Sequence, residues 1–109
     1  ASGQIGATAV TSIIYKITYP NGKIYVGQDR TNSINYFGSA SDALIAADFT
    51  PAQRRTFTLT REVLWESDTA SRSEINAMEL HFIRLLNANL PDIGYNQWPR
   101  PLTLGSKPL

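Results

Sequence analysis

Apolar positions along this chain follow two different periods. Within residues 12–29, β-branched and aromatic side chains crowd two short runs (Ile13, Ile14, Tyr15 and Ile17, then Ile24, Tyr25 and Val26), with Pro20-Asn21-Gly22 between them. That composition and that break predict a β-hairpin. Proline suits the first central position of a type I turn, asparagine tolerates the second, and glycine supplies the left-handed residue that follows. A three-residue loop with a bulge is therefore expected. It pairs Tyr19 with Lys23, Ile17 with Tyr25 and Tyr15 with Gly27, so Tyr15, Ile17, Tyr25 and Gly27 share one face. A two-residue Asn-Gly turn would put the two tyrosines on opposite faces.

Past a loop, Ser39 or Ser41 is placed to cap a short helix over residues 42–48. Thr50-Pro51 gives a second helix start, running to about residue 55. Residues 57–66 alternate, with Phe57, Leu59, Val63 and Trp65 on one face, and read as a half-buried third strand. Ser71-Arg72-Ser73-Glu74 matches a capping box, and a long helix is expected to continue to about residue 88. At about 100° per residue its buried stripe is Ile75, Met78, Phe82, Ile83, Leu85 and Leu86. Glu79 falls in the middle of that stripe. Residues 1–11 are small and unpatterned and are expected to be a flexible terminus, residues 12–98 form the domain, and residues 99–109 are a proline-rich tail.

Composition narrows the chemistry. A chain of 109 residues with 42% hydrophobic and 17% charged residues is one domain able to bury a core. It contains no cysteine, which excludes disulfides, thiolate nucleophiles and cysteine-ligated metals. The single histidine, His81, excludes most histidine-based triads and sits about 160° from Glu79 around the helix, as a surface residue would. Neither an apolar run of membrane-spanning length nor a signal-peptide pattern is present, so a soluble cytoplasmic protein is expected. Ten Lys+Arg against nine Asp+Glu leave a net charge of +1, so contact with nucleic acid would depend on local arrangement. Lys16, Lys23 and Arg30 do precede Asp42 with Asp29 alone against them.

Glu79 is the most informative anomaly. A carboxylate on an apolar helix face is costly unless it is paired or binds a metal. Two readings stand, a salt bridge to an interior arginine or a position at the domain edge, and a lone metal ligand. Magnesium commonly takes one or two protein carboxylates together with phosphate oxygens and water. Tyr15 and Tyr25 read as core aromatics or as a reactive pair, with Gly27 leaving open space beside the Tyr15 phenol. A phenol ordinarily titrates near ~10 and needs a nearby cation to act as a base at neutral pH. Arg30, just past the second strand, is either a solvated loop residue or that cation. Arg61 either snorkels at a sheet edge or is aimed at the same site as Glu79. Arg54-Arg55 reads as a solvated turn.

These residues carry a family resemblance. Ile13-Ile14-Tyr15 and Tyr25-Val26-Gly27, with Gly22-Lys23 between them, resemble the paired motifs of the GIY-YIG nucleases. Tyr36-Phe37-Gly38-Ser39 is similar to the YFGS loop of one branch of that family. Arg61-Glu62-Val63-Leu64 resembles its third strand, Glu79 its helix glutamate, and Gly94-Tyr95-Asn96 its terminal GYN. The resemblance spans residues 12–97. It implies an α+β fold, a central three-stranded antiparallel sheet flanked by helices. It also implies hydrolysis of phosphodiester bonds in DNA, double-stranded DNA foremost, with one divalent metal, Mg2+ or Mn2+. Tyr15 would take the proton of the attacking water, Tyr25 would orient that water or a phosphate oxygen, and Glu79 would bind the metal. Asn96 would hold the site's frame or a phosphate, and Arg30 or Arg61 would offset charge developing on phosphorus. Gly27, Tyr36, Gly38 and Ser39 would line the substrate. Two departures stand out: Ile13 replaces the first glycine, and Asn35 and Tyr36 occupy positions where many members carry arginine and histidine. Specificity would need insert loops, a homodimer or a partner subunit. The competing functions are a catalytically silent nucleic-acid-binding module and a structural domain in which Glu79 is bridged to Arg61.

Overall fold

A computed structural model describes residues 11–31 and 40–100. Tyr36, Gly38 and Ser39, the last also one of the two proposed caps, lie outside the described residues. The elements run β1 (Ser12–Thr18), β2 (Ile24–Asp29), α1 (Asp42–Asp48), α2 (Pro51–Arg54), β3 (Thr60–Ser67) and α3 (Arg72–Leu86). The strands form a three-stranded antiparallel sheet in the order β2-β1-β3. It is a small α+β fold. Among the described residues, no helix is long and apolar enough to cross a membrane.

The hairpin adopts the bulged loop. Gly22 takes φ of +88°, its N–H donates to the Tyr19 carbonyl over 2.8 Å, and the Tyr19 N–H donates to the Lys23 carbonyl over 2.9 Å. The Asn21 side chain accepts from the Lys23 N–H, which locks the corner. The register follows: Ile17 faces Tyr25 and Tyr15 faces Gly27.

Each sheet face has its own core. Ile13, Tyr15, Ile17 and Tyr19 pack with Phe49 and Tyr95, with Phe57 and Leu59 against them. On the other face Ile14 and Val26 pack with Ile75, Ile83 and Ala88. Ile13, Ile14, Ile17 and Val26 are wholly buried, and each such side chain contributes about 1.5–3 kcal/mol relative to exposure. The α3 helix starts at a capping box between Ser71 and Glu74 and stops at Asn87, whose left-handed backbone (φ 58°) ends the ladder. Ser41 caps α1, and a Thr50–Gln53 capping box starts α2.

Three expectations need correction. The third strand runs Thr60–Ser67 rather than 57–66, and a bulge lies opposite Ile14/Tyr15, where Ile14 faces Trp65 but Tyr15 faces Val63. The extra residue reverses the alternation. Trp65 therefore joins the α3 core while Phe57 and Leu59 join the other, and Val63 is 45% exposed. Leu85 is 60% exposed and does not belong to the buried stripe: at about 100° per residue it lies at the margin, roughly 80° from Ile75 and about 100° from Leu86, which does pack on the core. No open space lies beside Tyr15 at Gly27: the phenol itself fills it. A Cβ on Gly27 would lie 2.6 Å from Tyr15 Cζ, closer still to its hydroxyl, and 3.1 Å from Tyr25 Cε2.

Candidate active site

The outer edge of β2 organises the site. After α3 the chain returns beside β2, where Ile24 N–H donates to the Ile93 carbonyl and Tyr95 N–H to the Ile24 carbonyl, a short parallel bridge. Gly94 is required there, since a Cβ would lie 2.7 Å from both Ala88 Cα and the Ile24 carbonyl oxygen. Asn96 then continues the ladder with its side chain. Its Oδ1 accepts from the Val26 N–H and its Nδ2 donates to the Val26 carbonyl, each over 2.8 Å. Of the two roles considered for Asn96, this geometry gives the frame.

Tyr95 fixes the same segment from beneath. Its hydroxyl donates to Asp48 Oδ2 over 2.7 Å and accepts from Asn21 Nδ2, and its ring meets Tyr19 edge-on at 5.0 Å. Lys23 Nζ reaches the same Asp48 oxygen at 2.8 Å. The Lys23 hydrogen bond, then that from Tyr95, holds the Asp48 carboxyl below its ordinary range. Burial first, and then the neighbouring Asp48 carboxylate, pushes the Tyr95 phenol up to about 12. Burial likewise raises Tyr19. Turn, α1 and C-terminal segment are thereby tied together.

Tyr25, Glu79 and Asn96 line one open cavity of about 250 Å³, together with Ser41 and Trp98. Tyr25 belongs to the face opposite α3, whereas Glu79 comes from α3; they meet around the β2 edge. Gln28, pointing toward α3, donates from Nε2 to Glu79 Oε1 and to Asn76 Oδ1, 2.9 Å each. Glu79 enters neither the Lys16–Glu62 nor the Lys23–Asp48 ion pair. The Glu79–Arg61 bridge is not formed: Arg61 faces the tyrosine side with Ile17, its Cζ 5.9 Å from the Tyr15 ring centroid. The rings of Tyr15 and Tyr25 lie 6.5 Å apart, and Tyr15, 1% exposed, sits behind Tyr25 rather than on the cavity wall. Arg30 is exposed beyond the end of β2.

Two residues at this edge escaped the sequence reading. Asp29, 7% exposed, shares the Tyr25/Gly27 face, and its Oδ1 accepts from Thr31 N–H and Thr31 Oγ1. An aspartate two residues before a threonine at a strand end was the available signal, that of an Asx turn. Trp98 lines the cavity and had no periodicity to mark it. A second cavity of about 340 Å³, on the far side of Tyr95 and Asn96, is lined by Lys23, Leu44, Asp48 and Pro91. Comparison of the chain with family models, with curated proteins and with solved structures finds no match.

Proposed function

We propose that the chain is a GIY-YIG-type endonuclease that hydrolyses phosphodiester bonds in DNA with one divalent metal. The observation that carries this reading is the convergence of Tyr25, Glu79 and Asn96 on one cavity from a strand, a helix and the C-terminal segment, with Tyr15 and Arg61 directly behind. A carboxylate at a cavity wall with a neutral amide as its hydrogen-bond partner fits a hard cation that keeps most of its sites for water and phosphate oxygens. Mg2+, or Mn2+ in its place, would be held by Glu79 and would supply charge neutralisation at the scissile phosphate.

The chain's own residues divide the remaining work. Tyr25, on the wall, orients the attacking water by its hydroxyl. Tyr15, buried behind it with the Arg61 guanidinium 5.9 Å from its ring centroid, is the phenol assigned to take up the water's proton. Asn96 holds β2 at the distance that keeps the cavity open, and Gln28 fixes the rotamer of Glu79. Arg61 also offsets charge developing on phosphorus, so its loss should lower turnover by roughly 10²-fold or more.

The test is cleavage of plasmid, branched and single-stranded DNA with Mg2+, with Mn2+ and with chelator. Metal-dependent cutting by the parent, abolished by Glu79→Gln and lowered by Tyr15→Phe and Tyr25→Phe, supports the reading. A folded parent that cuts none of these substrates, or a Glu79→Gln protein that cuts as well as the parent, overturns it.

A further inference from the structure

Trp98 is the largest exposed apolar side chain among the described residues, with 60% of its surface accessible. An indole so open presents a large π-surface on which another ring can stack. Leu44, Val63, Leu85 and Ile93 are exposed as well, but none of them lines the cavity that Trp98 lines. The same cavity is lined by Ser41, Glu79 and Asn96, with Tyr25 and Ile83. The segment bearing the indole is tied down, since Asn89 Nδ2 donates to the Pro99 carbonyl over 2.6 Å, one residue after Trp98.

A flat π-surface held beside a carboxylate that, on the nuclease reading, carries a divalent cation suits a ligand that joins an aromatic ring to a phosphate. We infer that Trp98 is a stacking platform for the nucleobase next to the scissile phosphate, and that the cleft selects DNA with an unpaired base at that step. The inference rests on the nuclease reading and names its substrate class. Within a duplex both faces of a base are already stacked, so an indole gains a base only where pairing is interrupted or the base swings out. Flaps, bubbles, branches and single strands present such a base; a continuous blunt duplex does not. Trp98 touches the substrate away from the reacting atoms, so it governs affinity and selection rather than the chemical step.

The chain has two tryptophans, and Trp65 is packed into the core under α3. In a Trp65→Phe protein, emission therefore reports Trp98. The probe is a short single-stranded oligonucleotide titrated in chelator, with affinity read by both tryptophan quenching and anisotropy of an end label. Quenching on binding is expected, with affinity weakened roughly 5- to 150-fold by Trp98→Ala and largely restored in Trp98→Phe. A bubble or flap should quench more than the blunt duplex of the same sequence. Thermal melts of both Trp98 variants should match the parent, because the side chain is exposed.

Equal affinity of the parent and Trp98→Ala, or equal quenching by blunt duplex, overturns the inference while cleavage by the parent leaves the nuclease reading intact. A parent that binds no oligonucleotide and cuts no DNA overturns both.

Discussion

Asn96→Asp changes one atom and tests how the β2 edge is held. In the parent, the amide donates to one backbone atom of Val26 and accepts from another, both over 2.8 Å. The ionised carboxylate keeps the acceptor and has no donor, so it turns an oxygen toward the Val26 carbonyl. Val26 is wholly buried, and stripping a partner from a buried polar group costs about 1–3 kcal/mol. For a domain of about this size that lowers Tm by roughly 4–8 °C per kcal/mol. The penalty is titratable. A protonated carboxyl regains an O–H donor, so folding raises the new group's pKa above the ordinary aspartate value of ~3.9. A raised folded-state pKa gives stabilisation that is full below the unfolded value and lost as pH rises through the folded one. The variant should therefore be closest to the parent in acid and fall away toward neutrality. Urea melts of both proteins from about pH 3 to pH 7 read this directly. A stability gap that is absent at neutral pH, or one that stays constant across the range, refutes the bidentate edge contact.

Three other outcomes follow from the geometry. Gly27→Ala should cost about 1–3 kcal/mol by overpacking and shift both phenols, read by urea melts and cleavage; an unchanged melt would mean that Tyr15 does not lie across β2. Glu79→Gln should melt within a few degrees of the parent, because Gln28 has an oxygen to donate to in either protein, while metal-dependent cutting disappears; a large loss of Tm with cutting retained would make Glu79 a framework residue. The Asp48 carboxyl titrates below its ordinary range, so its stabilisation is present above the unfolded value and lost as pH falls through the folded one; Asp48→Asn should flatten that acid limb in urea melts, and phenolate absorbance from Tyr95 should emerge near pH 12 rather than 10.

How far the sequence reached depended on the kind of signal. The hairpin register was legible because a single local device, Pro20-Asn21-Gly22, sets it, and every pair beyond the turn follows by parity. The capping residues of α2 and α3 were legible for the same local reason. The faces of β3 were not. Alternation extrapolates only while the pleat is unbroken: Val63 keeps the Tyr15 side, and the bulge opposite Ile14/Tyr15 sends Trp65 into the α3 core. Glu79 could be singled out by its place on the helix stripe, but its surroundings depend on Gln28, 51 residues away in the chain. Trp98 lies in an irregular segment, where periodicity carries no information about which surface a side chain faces.

The position of the site follows from the topology. With α3 on one face of the sheet and the tyrosine core on the other, groups from the two faces are separated by the backbone everywhere except at a sheet margin. At β2 the margin is closed by a short bridge at Ile24–Gly94, and there the parallel pairing stops. A full fourth strand would satisfy Val26 with backbone and fill the space where Tyr25 and Glu79 meet. Asn96 satisfies Val26 with a side chain instead, which frees the chain to turn outward at Gln97 and Trp98. One asparagine thus satisfies the buried edge that an unpaired strand would leave open and opens the cavity beside it. That accounts for a glycine, a tyrosine and an asparagine in succession: close approach at Gly94, anchoring through Asp48 at Tyr95, and termination of the ladder at Asn96.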